Sequence, residues 1–328
     1  MKLPKISVVI PVALHENCGK AVQTLKKIDY PASNIEITVV KGNRPCTQRN
    51  KAAFQSKGEI LYFLDNDSII QPDAFKRAVK HYSDKNLAGA GGPALTHNTD
   101  TFLQKSFGIM LGSYFSSLSM ASRFRQFGKK RKTGEKQVIL CNLSMRRDFF
   151  VEIGGLNELL YPNEECELAN RIIEQGHYFI HDPKIVIYRS NREGLINFSR
   201  QLWKEGWGRT RHFILHPSFF EPLYTLPGLF VIYLISLAFI SNMFYLIPFA
   251  IYLMWVLLGS VDNAIKGKSI GYFFTSIPLF FLFHISYGIG TITGLCKYLD
   301  PKLKHKTPLI KLKKIKSFGE TWEKMKTF

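Results

Sequence analysis

Cysteine is scarce, with five in 328 residues (Cys18, Cys46, Cys141, Cys166 and Cys296) and no C-x-x-C pair. This scatter argues against a zinc ribbon or a disulfide scaffold and suits reduced thiols in a cytoplasmic compartment. Acidic residues are also few, 25 against 44 Lys and Arg, which leaves a net charge of +19. His97, His177, His181 and His284 show no metal-ligand spacing, and no internal repeat is evident. Gly89-Ala90-Gly91-Gly92 lacks the Lys-Ser/Thr that follows a phosphate loop and reads as a tight strand end. No secretory leader is expected, because Met1–Pro11 leads into an apolar run too short for one, so the first 218 residues are expected to fold in the cytoplasm. What is plentiful is apolar: 46% of residues are hydrophobic, which excludes wholesale disorder.

The charge is unevenly spread. Residues 1–218 carry 32 basic and 20 acidic residues; residues 219–296 carry only Lys266, Lys268, Glu221 and Asp262; residues 297–328 carry ten Lys and three acids. Within the neutral stretch, Leu223–Ile240, Met243–Ser260 and Gly271–Cys296 are free of charge. A bilayer core of ~30 Å needs about 20 apolar helical residues, so these runs predict a membrane region. Basic flanks prefer the cytoplasm, and both the C-terminal lysines and Lys266 with Lys268 ask for that side. An even number of crossings satisfies both. The third run holds Pro278, Gly288, Gly290 and Gly294, and on that account is expected to be re-entrant or interfacial.

The first 200 residues read as α/β. Ile6–Pro11, Ile35–Val40 and Ile60–Leu64 are short apolar, β-branched strands, separated by helical stretches at Ala21–Ile28 and Gln48–Ser56, and a helix is expected from Pro72 to Tyr82. Alternation of this kind predicts a mostly parallel, doubly wound sheet whose ligands bind at the carboxyl ends of the strands. Pro11, Lys41 and Asp65 fall at those ends.

Four constellations could carry chemistry. Asp65-Asn66-Asp67 follows a buried strand, so two carboxylates can turn to one side and hold a hard cation against phosphates; the same residues also make turns. Asn163-Glu164-Glu165-Cys166-Glu167 reads as a helix start with Asn163 as N-cap, acids complementing the dipole and a Glu167–Arg171 pair, or as a source of a general base. Arg200–Arg209 interleaves Arg, Gln and two Trp as an interfacial helix that either anchors or closes over a substrate. Arg123–Lys136 carries seven basic residues against one acid and reads as a mobile loop, either a solvated surface or a site for anionic lipid head groups. Nucleic acid is not expected, because no recognised binding motif accompanies the charge.

Taken in order, Ile6–Pro11, Gln48-Arg49-Asn50, Gly58–Asp67, Cys141–Arg147, Gly154–Glu158 and Asn163-Glu164-Glu165 resemble the family 2 glycosyltransferases, membrane-bound members that build bacterial exopolysaccharides among them. The resemblance implies a GT-A nucleotide-sugar-binding domain over residues 1–195, interfacial helices over 196–220, a membrane-embedded region over 221–296 and a basic cytoplasmic tail over 297–328. It implies inverting transfer from a nucleoside-diphosphate sugar with Mg²⁺ or Mn²⁺ on Asp65 and Asp67, and Glu165 as catalytic base with Glu164 as its rival. Pro11, Val12, Arg49 and Asp65 match the nucleotide-contacting positions, and Arg200, Gln201 and Trp203 the helix beside the substrate. Where the family's second strand usually ends in Asp, this one ends Val40-Lys41-Gly42; where a later strand often ends in His, this one reads Tyr188-Arg189, which implies Arg189 as a diphosphate contact; and the Gln-x-x-Arg-Trp of processive members is Gln201-Leu202-Trp203-Lys204-Glu205. Trp203, Trp207 and the basic stretch suggest a lipid-linked acceptor presented at the inner membrane. Two rival expectations are direct transfer to a polyprenyl phosphate and a non-catalytic membrane adaptor.

Overall fold

The structure is a computed structural model and describes residues 3–298 and 309–326. The chain divides into two compact units: one takes in the chain up to Leu95, Arg125–Arg189 and the C-terminal segment, the other Thr96–Phe124 and the helices after Ser190.

Eleven strands are described: β1 (Ile6–Ala13), β2 (Ile35–Gly42), β3 (Ile60–Leu64), β4 (Ile69–Ile70), β5 (Leu87–Gly91), β6 (Ala94–Thr96), β7 (Arg131–Thr133), β8 (Asn142–Arg146), β9 (Tyr178–His181), β10 (Ile187–Arg189) and β11 (Ile310–Lys316). Eight form one sheet in the order β11-β2-β1-β3-β8-β5-β9-β7, and β4-β10-β6 form a small second sheet. β1, β2, β3 and β5 are buried on both faces, which is why they read as nearly unbroken apolar runs. Val8, Ile10 and Val12 of β1 enter one core with Tyr62 and Leu64, while Val9 enters the opposite core with Leu61 and Phe63. The expected α/β class is present, but the sheet is mixed rather than mostly parallel. β2-β1-β3 and β5-β9 pair in parallel, whereas β8 runs antiparallel to both β3 and β5, and β7 and β11 are antiparallel edges. The stretch Arg123–Lys136, expected as a mobile loop, supplies edge strand β7, where Arg131 donates to Gln137 at 2.7 Å.

The C-terminal lysines correct a second expectation. Residues 310–316 are not a tail: they form β11, the edge of the main sheet, pairing Lys311 with Lys41 and Lys314 with Thr38. The alternation Ile310-Lys311-Leu312-Lys313 suits a strand with one apolar face. Lys316 is buried, and its ammonium donates to the carbonyls of Ile35 at 3.0 Å and Glu320 at 2.8 Å. Lys314 donates to the buried Glu36 carboxylate at 2.6 Å. Burial alone would push the Glu36 carboxyl up, but hydrogen bonds from Lys314, the Lys57 N–H and Ser7 outweigh it and hold it below the ordinary carboxylate range. A lowered folded pKa adds stability above the unfolded value and loses it as the pH falls through the folded one. Glu36→Gln therefore lowers the melting temperature at pH 7, at a cost of about 1–3 kcal/mol, and its deficit against the parent shrinks on acidification. Melting curves that stay equally far apart from pH 7 to pH 3 would contradict this.

The second unit is helical. Its long helix Gly194–Leu215 packs on Gly271–Tyr298, where a Cβ on Gly206 would lie 2.1 Å from the Tyr287 carbonyl and one on Gly290 2.1 Å from the Trp203 carbonyl. The glycines that led to the re-entrant expectation therefore sit where helix backbones meet, a use of small residues common in membrane bundles. The helix Gly271–Tyr298 runs unbroken through Pro278. The first apolar run is the one cut short, at Leu226–Ser236, while Met243–Gly267 and Gly271–Cys296 are long and apolar enough to cross a bilayer.

Candidate active site

The helix Pro45–Gln55 lies against β1 and β2, and its residues Gln48, Arg49 and Asn50 are all buried. Successive helical residues point about 100° apart, so the three reach different neighbours. Gln48 donates to the Val12 carbonyl at 3.0 Å and the Val40 carbonyl at 2.6 Å, tying the ends of β1 and β2 together. Asn50 donates to Leu156 O at 2.8 Å and accepts from Leu156 N at 2.9 Å. That loop begins with Gly154 and Gly155, both at positive φ, and a Cβ on Gly155 would come within 2.7 Å of the Asn50 amide oxygen. Arg49 stands between them and donates to Asp65 Oδ1 at 2.8 Å and to Glu164 Oε1 at 3.0 Å. The motif Gln48-Arg49-Asn50 thus joins the ends of β1 and β2, the Asp65 carboxylate and the loop at Leu156.

Asp65 sits where β3 ends, and in the β1–β3 register Val9 pairs with Phe63, so Pro11 is level with Asp65 two steps on. Asn66 points away, donating to Glu16 at 3.0 Å and to the Asn17 carbonyl at 2.9 Å. Asp65 and Asp67 turn to one side, because a single guanidinium binds both. Arg189 donates from Nη1 to Asp65 Oδ2 at 2.9 Å, from Nε to Asp67 Oδ1 at 3.0 Å and from Nη2 to Asp67 Oδ2 at 3.3 Å. The small sheet positions it: Ile187 pairs with Ile70 and Tyr188 with Ile69, so the next step brings Arg189 to Ser68 and its neighbour Asp67. Burial acts against the Arg189 charge, but Asp65 and Asp67 reverse this and hold its pKa well above the ordinary value.

The helix Glu164–Glu174 supplies the other carboxylates. Its first residue, Glu164, is committed to Arg49 with only 5% of its side chain exposed. Glu167 pairs with Arg171 at 2.7 Å as the spacing predicts, and Arg171 also donates to Ile153 O and Gly155 O at 2.7 Å each. Glu165 is half-buried. Asn163 precedes the helix as expected, but in the left-handed conformation at φ 81°, with no side-chain capping bond.

Residues 16–154 match the family model "Glycosyl transferase family 2". That segment is similar to the family 2 glycosyltransferases. The matched segment includes Arg49, Asp65 and Asp67 and ends before Glu164 and Glu165. The chain also has counterparts among solved structures. A mannosyltransferase from Pyrobaculum calidifontis, solved in complex with GDP-Man and Mn²⁺, is 14% identical with a TM-score of 0.57, over 89% of this chain and 88% of that one. The S. aureus protein TarS is 12% identical with a TM-score of 0.42, over 84% of this chain and 55% of that one. No curated protein matches the sequence. The mixed α/β sheet is of the GT-A type.

Within the first unit, Arg49, Asp65, Asp67 and Glu164 come together with Arg189 as one ion-pair network, with Pro11 and Val12 at the adjoining end of β1. Arg49 was expected at the nucleotide, but the structure commits its guanidinium to two carboxylates. Arg200, Gln201 and Trp203 belong to the other unit and have partners there: Arg200 donates to Asn197 at 3.2 Å, Gln201 accepts from Arg192 at 3.2 Å, and Trp203 donates to Thr293 at 2.9 Å. Arg189 enters the network most directly, and the sequence signal for it was weak: a basic residue ending a three-residue strand.

Proposed function

We propose that the protein transfers a sugar, with inversion, from a nucleoside-diphosphate sugar to a hydroxyl of a lipid-linked saccharide in cell-surface polysaccharide synthesis. The observation that carries this reading is the convergence of Asp65 and Asp67 on one guanidinium at the carboxyl end of β3, joined through Arg49 to Glu164, the neighbour of Glu165. The donor set suits Mg²⁺ or Mn²⁺. Both carboxylates turn to one side, where a single guanidinium binds them, and Asp67 is 36% exposed. Among the described residues no group of three or more His, Cys, Asp and Glu gathers to hold a metal, and phosphate oxygens and water would complete the ligand set, the usual arrangement for Mg²⁺. Bound there, the ion would offset charge building on the departing diphosphate.

The chain's own residues do the rest. Pro11 and Val12 line the nucleoside end, and Asp65 is held in orientation by Arg49. The acceptor oxygen forms its bond to the anomeric carbon as the bond from that carbon to the diphosphate oxygen breaks, with the electron pair leaving on the diphosphate. Glu165 takes the acceptor's proton from the face opposite the leaving group, which inverts the centre. Glu164 is the weaker candidate for base, because the Arg49 guanidinium stabilises its ionised form and the pair is sealed from solvent.

Membrane attachment has independent support. β11 is a strand of the same sheet as β1, β2 and β3, so the chain ends on the side where it began. Any crossings between Ser190 and residue 309 are therefore even in number, and two helices have the length and composition for it. Exposed apolar side chains such as Ile265 at 71% and Phe274 at 65% fit lipid contact. Attraction of anionic head groups by Lys129, Lys130 and Lys132 holds the domain near an acceptor at the cytoplasmic face. A reporter fused after Phe328 is then active in the cytoplasm, and one active only outside it refutes this topology. The donor reading is tested by thermal stabilisation with nucleoside diphosphates in the presence and absence of Mn²⁺: a pyrophosphate that bridges to the ion stabilises only when both are present.

A further inference from the structure

Each oxygen of the aspartate pair already has a guanidinium on it. Asp65 Oδ1 accepts from Arg49, Asp65 Oδ2 from Arg189, and both oxygens of Asp67 from Arg189. A divalent ion binds such oxygens at 2.0–2.1 Å for Mg²⁺, in the lone-pair directions that the N–H groups of Arg189 occupy. The two cations cannot share the same oxygens, and their like charges repel.

The two arginines differ in their freedom to leave. Arg49 is 8% exposed, is anchored on a helix and has Glu164 on its far side, so removing it from Asp65 would strand a buried charge. Arg189 is 27% exposed and sits at the end of a three-residue strand. Its long stem allows the guanidinium to withdraw while the backbone stays paired to β4. Of the two, only Arg189 can give way without dismantling the core.

We propose that Arg189 is a built-in competitor for the divalent cation: it closes the Asp65–Asp67 pair in the absence of donor and is displaced when ion and diphosphate arrive together. The inference rests on the reading of Asp65 and Asp67 as the metal–diphosphate pair. The ion alone must evict a guanidinium with several charge-assisted hydrogen bonds and gains only two carboxylates. The diphosphate changes this balance, because its oxygens add ligands to the ion and accept from the released guanidinium, which binds phosphate in a planar, two-pronged geometry. Metal and donor therefore bind cooperatively, and each raises the affinity of the other by the same factor. Arg189 is a positioning residue in this scheme, and its signature is a binding linkage rather than a rate.

The test is a Mn²⁺ titration of the full-length protein in detergent, read by the electron paramagnetic resonance signal of free Mn²⁺, with manganese alone and with UDP or GDP added. The native protein should bind manganese weakly alone and tightly with the matching diphosphate. Arg189→Ala and Arg189→Gln should bind manganese alone roughly ten-fold more tightly or better, about 1.4 kcal/mol, and should lose most of the coupling to nucleotide. Two variants guard against misfolding in one, and far-UV circular dichroism checks both. If well-folded variants match the native affinity for manganese alone and keep the coupling, the proposal is overturned while the metal site stands. If neither the native protein nor the variants bind manganese even with nucleotide, the metal–diphosphate reading fails and takes the proposal with it.

Discussion

Asp67→Ala abolishes the Mn²⁺-dependent thermal stabilisation by nucleoside diphosphate and lowers sugar transfer on the order of 10³-fold. Asp67 is the more exposed of the pair and pairs with Arg189, itself near the surface, so the substitution disturbs little of the buried core. Its loss removes one of two protein carboxylates available to the ion. Folding is retained, because Asp65 keeps Arg49 and β3 keeps its apolar packing on both faces. Asp67→Asn separates charge from shape: it keeps a hydrogen-bond acceptor for Arg189 but gives the ion a weaker, neutral oxygen. Full Mn²⁺-dependent donor binding by Asp67→Ala would remove the aspartate pair from the mechanism.

Glu165→Gln separates binding from chemistry. The amide has the shape of the acid but cannot take a proton. Donor binding stays unchanged, and transfer falls by about 10²–10⁴-fold, the range of a positioned general base. Glu164→Gln behaves differently. It takes away one of the two carboxylates that offset the buried Arg49 charge, so the first effect is a lower melting temperature and loosened donor binding. Equal turnover by Glu165→Gln and the parent would dismiss Glu165 as base. It would then favour transfer to an acceptor that is already anionic, such as a polyprenyl phosphate.

Much of this was legible in one dimension, where local rules decide. β3 begins and ends at the residues its apolar run marks, Ile60 and Leu64, because a strand buried on both faces leaves an unmistakable pattern. The aspartates after it are readable for the same reason, since a polar pair directly after such a strand lies at the sheet's binding edge. The Glu167–Arg171 pair follows from helical spacing alone. Other features depended on partners far away in sequence. Arg49 reads as a nucleotide contact until it meets Glu164, 115 residues on. Gly288, Gly290 and Gly294 read as helix weakeners until neighbouring helices arrive against them.

The sequence by itself determined an α/β domain with a carboxylate pair at a strand end, followed by apolar helices, because periodicity, strand length and bilayer thickness are local constraints. Only the tertiary structure decided what the basic residues do. Arg189 reaches the aspartates across 122 residues of chain, and Lys314 reaches Glu36 across 278. A charge becomes a counter-ion, a competitor or a strap only when folding removes water from between it and its partner, and no local pattern records which partner that is.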